Sequence, residues 1–193
     1  RHIGRGVEHL NRTLSNRLFT DPAKRLATLH DFLRLHHHKD RQLMLSQRIE
    51  SPEEMRDAVD QARALLADVP VEMPWAKIRN SMNALGLLVG WGDTAGRVLE
   101  TLDLLSEVID APSPSVIEDF LSRVPMIFSV AIFSPHGFFG QSNVLGLPDT
   151  GGQVVYILDQ VRALEKEMGE RLRLQGIDTD PEIVVITRLI PEA

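Results

Sequence analysis

Met126-Ile127-Phe128-Ser129-Val130-Ala131-Ile132-Phe133, set between Pro125 and Pro135, is an almost unbroken apolar run of strand length. A run without polar alternation predicts a strand buried on both faces, as in a parallel sheet. After a long Gly-rich loop over residues 134–150, Val154, Val155, Leu158, Val161, Leu164, Met168 and Leu172 recur at helical spacing, and Gly176 closes the pattern. Pro181 then introduces Glu182-Ile183-Val184-Val185-Ile186-Thr187, a second run of the same kind. Strand, loop, helix and strand make one βαβ unit, which reads as α/β. One such unit is not a domain, so the rest of the sheet is expected beyond Ala193.

Working back from Val124, the period is helical. Leu10, Leu14 and Leu18, then Leu26, Leu29, Phe32 and Leu33, recur every three or four residues. Ser51-Pro52-Glu53-Glu54 is a helix start: a capping hydroxyl, proline at the first helical position, and acids at the positive end of the helix dipole. The helix it opens carries Met55, Val59, Ala62, Leu65 and Leu66 and must stop before Pro70. Another is expected from Met73-Pro74-Trp75 through Ile78, Met82 and Leu85 to a terminator at Gly86. Gly90-Trp91-Gly92 then turns the chain, and Asp93 or Thr94 caps a helix striped by Val98, Leu102, Leu105 and Ile109. After the break at Pro112-Ser113-Pro114-Ser115, a short helix covers 116–121. The expectation is α/β overall: an all-α module over residues 1–124, followed by the first βαβ unit of an incomplete domain over 125–193.

Composition narrows the classes. The chain has 193 residues, 43% hydrophobic and 25% charged, an ordinary globular balance that can bury a core. Cysteine is absent, which excludes disulfides and thiolate metal sites. No apolar run reaches the ~18 residues of a membrane span, and no secretory pattern is present, so a cytoplasmic protein is expected. The net charge of −6 is uneven: residues 1–50 hold ten Lys/Arg against five Asp/Glu, and residues 51–123 hold six against thirteen. The bases are interspersed with Leu and Phe rather than clustered, and aromatics are 5% of the chain, so a nucleic-acid surface is not expected. The opening at Arg1 without Met and the stop just after a strand suggest a fragment.

Chemistry is expected where the first strand's carboxyl end faces the next helix, because open parallel sheets bind ligands there. Gly151 and Gly152 open that helix. Glycine lets a ligand approach the backbone, the unpaired amides of a first turn favour an anion, and Asp149 or Thr150 can cap them. A diphosphate is a sensible ligand, although two glycines at a helix start are common and match neither the Walker loop nor the dinucleotide fingerprint. His136 stands just past the strand end; a histidine there is as readily structural as functional. His36-His37-His38 is expected to be a polar helix face or helix end, because adjacent helical residues diverge and rarely chelate together. Trp75 and Trp91 are expected to pack.

The segment 134–165, from Ser134-Pro135-His136-Gly137 through Pro148-Asp149-Thr150-Gly151-Gly152-Gln153 to Glu165, closely resembles sucrose synthases. So do Gly6-Val7-Glu8-His9-Leu10-Asn11-Arg12, Gly90-Trp91-Gly92-Asp93-Thr94-Ala95 and Arg123-Val124-Pro125-Met126. The resemblance implies a retaining GT-B glycosyltransferase with two Rossmann-like domains, transferring glucose reversibly between UDP or ADP and fructose to make or cleave sucrose. It implies that Gly151 and Gly152 hold the diphosphate, while His136, Gly151 and Gln153 face fructose. It also implies no tightly bound metal or cofactor, the nucleotide-sugar being a substrate, and a homotetramer built through the helical domain. Much of the donor site would lie in the other half of such an enzyme, so this stretch alone is expected to be inactive. Sucrose-phosphate synthases share Asp149-Thr150-Gly151-Gly152-Gln153 but not the stretch around it, and remain an alternative. So does a helical protein-interaction module anchored by the βαβ unit.

Overall fold

The computed structural model describes residues 21–136 and 152–187. The stripe of Leu10, Leu14 and Leu18 and most of the Gly-rich loop lie outside these residues. The chain divides into two compact units, Arg1–Val124 and Pro125–Ala193.

In the first unit, α1 (Pro22–Arg34) starts at Asp21, whose side chain accepts from the Lys24 amide, with proline at its first turn. Leu33 and His30 are buried, and Leu26, Leu29 and Phe32 are half-buried. Of the three histidines, His36 stands at the helix end as expected, its N–H reaching the Leu33 carbonyl, and the other two correct the sequence reading. The helix stops at Arg34, and His37–His38 form a two-residue strand, β1, paired antiparallel with β2 (Arg41–Gln42) across a turn in which Lys39 takes φ +52°. The chain then enters the core: Leu43, Met44 and Leu45 are at most 1% exposed. Their backbone lies along residues 87–89, with Met44 N–H donating to the Val89 carbonyl and Leu88 N–H to the Met44 carbonyl.

α2 (Pro52–Leu66) is capped as its sequence demands, Ser51 Oγ accepting from Glu54 N–H, and its Met55, Val59, Ala62 and Leu66 are buried. α3 (Trp75–Ala84) buries Ile78 and Met82; Leu85 is only half-buried, and Gly86 ends the element at φ +85°. Thr94, not Asp93, caps α4 (Ala95–Asp110), whose Val98, Leu102, Leu105 and Ile109 form the expected buried stripe. α5 (Pro114–Arg123) extends beyond the expected span at both ends and buries Phe120. α4 packs against α2 and α5, and α1 packs on α2. Both tryptophans are buried; Trp91 Nε1 donates to the Met44 carbonyl at 3.0 Å, joining the Gly90–Gly92 turn to the buried segment.

In the second unit, β3 (Ser129–Ser134) pairs in parallel with β4 (Glu182–Thr187), in register from Ser129 opposite Glu182 to Ser134 opposite Thr187. α6 (Gly152–Leu174) lies between them in sequence and packs on β4. Among the described residues the two strands are not buried on both faces. Val130, Ile132, Ile183 and Val185 are half-buried, but Phe133 is 74% exposed, and Val184 and Ile186 are exposed as well. Among the described residues the sheet has two strands and one covering helix, so only one of its faces is covered. Apolar sequence records what a strand is suited to meet, not what the described residues supply.

Candidate active site

Parallel register places the carboxyl ends of both strands, Ser134 and Thr187, at the same edge of the sheet. The helix runs back from that edge. A side-chain carbon at Gly169, near the end of α6, would lie 3.8 Å from Pro181, which directly precedes β4, so the last turns of α6 sit at the amino end of the strand. Its first turn, at Gly152, therefore lies toward the carboxyl edge where the chain leaves β3. That is the strand-to-helix junction at which open α/β sheets present amides to ligands.

His136 is exposed, two residues past this edge. Its backbone is held rather than loose: Ser134, 2% exposed, donates its hydroxyl to the His136 carbonyl at 3.0 Å. Gly152 is the first residue of α6 and Gln153 the second, so their N–H groups belong to the first turn and have no partner within the helix. Gly151 lies outside the described residues, as do Asp149 and Thr150. A partial positive charge at this helix start and an exposed imidazole at the strand end together suit an anionic group beside a polyol. The hydroxyl of Ser134 went unread in the sequence, where nothing distinguishes a bonded serine from a solvated one.

The helical unit contains an open cleft of about 360 Å³ lined by Arg48, Ile49, Glu54, Asp57, Gln61 and Leu85 among others. None of the described residues that line it is one singled out above for chemistry. Among the described residues no group of three or more His, Asp or Glu is placed to hold a metal, and no helix is long and apolar enough to cross a membrane.

Two family models match the chain in order along its length: the sucrose synthase EPBD domain over residues 5–93 and the sucrose synthase first GT-B domain over residues 115–193. Among curated proteins, a sucrose synthase of Denitrovibrio acetiphilus is 54% identical over 99% of the chain. Sucrose synthase 4 of Oryza sativa subsp. japonica is 53% identical over 99%, and sucrose synthase 3 of Arabidopsis thaliana 52% over 99%. In each case the match spans 24% of the relative, so the chain spans about a quarter of the length of the curated relatives it matches.

Proposed function

This chain belongs to the sucrose synthase family, and on that premise we propose that, joined to the rest of the relatives' length, it builds the acceptor side of a reversible glucosyltransferase. The reaction is nucleotide-glucose plus fructose giving nucleoside diphosphate plus sucrose, with retention at the anomeric carbon. The observation that best supports the reading is the pairing, at one edge of β3–β4, of a strand end bearing His136 with a helix that begins at Gly152.

In this reading the amides of Gly151 and Gly152 donate to the diphosphate, and the positive end of α6 adds to them. Negative charge grows on that diphosphate as the glucosyl bond breaks, so donors aimed at it stabilise the transition state more than the ground state. The departing phosphate takes the proton of the attacking fructose hydroxyl on the same face of the sugar. His136 hydrogen-bonds fructose and orients that hydroxyl, with Gly151 and Gln153 beside it. Either UDP or ADP serves as the nucleotide. A homotetramer assembled through the helical unit and a cytoplasmic location belong to the same proposal and rest on the family.

A protein carrying this sequence at the relatives' full length should make sucrose from fructose and UDP-glucose or ADP-glucose, measured as disaccharide formed and diphosphate released. Folded protein that yields no sucrose overturns the assignment. A clear preference for fructose 6-phosphate transfers it to sucrose-phosphate synthesis. His136→Ala should lower kcat/KM for fructose by about 10–100-fold while nucleoside diphosphate affinity stays within about threefold. Unchanged acceptor kinetics would remove His136 from the site.

A further inference from the structure

Ser134 ends β3 and pairs with Thr187, and its side chain is turned inward at 2% exposure while Pro135 and His136 are exposed. A buried hydroxyl needs a partner. This one reaches over Pro135 to the carbonyl oxygen of His136, at 3.0 Å. Three restraints therefore act on the two steps between sheet and imidazole. Strand pairing fixes Ser134. The Pro135 ring sets its own φ near −65° and confines the residue before it to extended geometry. The hydroxyl then ties down the far carbonyl, which narrows the backbone freedom of His136 and leaves its side-chain torsions to choose among rotamers.

We propose that Ser134 is a positioning residue: by bonding the His136 carbonyl it presents the His136 imidazole to the acceptor sugar. This rests on the reading of His136 as the fructose contact given above. The role needs a donor at this position. Alanine would leave the carbonyl free to turn, cysteine would offer only a weak donor, and threonine would keep the hydroxyl at a strand position that suits a branched side chain. Small displacements are costly in such a site, because a reacting pair misplaced by about 1 Å can lose about 100-fold in rate.

The test uses the full-length protein and varies fructose at saturating nucleotide-glucose. Ser134→Ala and Ser134→Cys should each lower kcat/KM for fructose by about 5–50-fold, with nucleoside diphosphate affinity unchanged, and Ser134→Thr should recover most of the loss. Combined with His136→Ala, Ser134→Ala should cost less than about twofold more, because one residue acts through the other. Wild-type acceptor kinetics in Ser134→Cys overturn the inference, as do losses that simply multiply in the double variant, and both leave the role of His136 standing. Weakened nucleotide binding in parallel with acceptor use, in Ala and Thr variants alike, would show a merely structural residue and also overturn it. A silent His136→Ala would instead overturn the acceptor reading itself, and this inference with it.

Discussion

At the scale of single residues, two glycines in the helical unit do different work. Gly86 sits at φ +85°, and a side-chain carbon there would meet Ile49 Cδ1 and Cγ1 at 2.8 Å. The backbone conformation strains any other residue, and the Ile49 side chain would have to shift to admit one. Gly86→Ala should cost about 1–3 kcal/mol, read as a lower denaturant midpoint at unchanged slope; parent-like stability would mean that Ile49 and the backbone yield freely. Gly92 has no need of a left-handed backbone, but a side-chain carbon would lie 2.8 Å from the Val98 nitrogen and 2.9 Å from the Arg97 carbonyl carbon, both backbone atoms. Gly86 was legible as a helix terminator because the requirement is local. The crowding at Gly92 was not, because it depends on how the chain turns into the first turn of α4. Ser134 falls on the same side of the line: its place in the motif could be read, but the bond to the His136 carbonyl exists only once the strand end is folded.

At the scale of elements, local chemistry was read well and nonlocal pairing poorly. Ser51 caps α2 as expected, and the buried stripe of α4 matches its spacing residue for residue. The β1–β2 hairpin was missed because His37, His38, Arg41 and Gln42 carry no strand pattern. What holds the neighbourhood is the burial of Leu43, Met44 and Leu45 just after it. Burial and charge make different contributions where α2 meets α4. Leu102 is 0% exposed, and Leu102→Ala should cost about 2–5 kcal/mol. The adjacent Asp103 accepts from Arg63 Nε at 2.6 Å, but both side chains are more than a third exposed, so Asp103→Ala should cost only about 0–1 kcal/mol. Denaturant unfolding of the pair of variants checks the ranking; a larger loss at Asp103 would mean that the ion pair is far better shielded than its exposure indicates.

At the scale of the whole molecule, fold class was legible because the period changes near Val124, and the two compact units divide there. The covering of the second unit's sheet was not legible, since apolar strands look the same whether their neighbours are present or not. The chain spans 24% of the relative's length, and much of the proposed donor site lies in the remainder, so the 193-residue chain alone should form no sucrose under conditions in which a full-length protein does. Residues 1–124, the proposed assembly unit, should scatter light as an oligomer. A clean monomer at micromolar concentration would argue against the helical unit as the assembling surface and in favour of contacts made elsewhere.

The parallel pairing of β3 with β4 also bears on time. The partners Ser129 and Glu182 stand far apart along the chain, with all of α6 between them, whereas the helical unit also has pairings between elements adjacent in sequence, such as α4 with α5. Bringing distant segments together costs chain entropy before any pairing repays it. The β3–β4 pairing carries that closing cost in full. The edge that carries His136 exists as a paired edge only once β4 has reached its place beside β3.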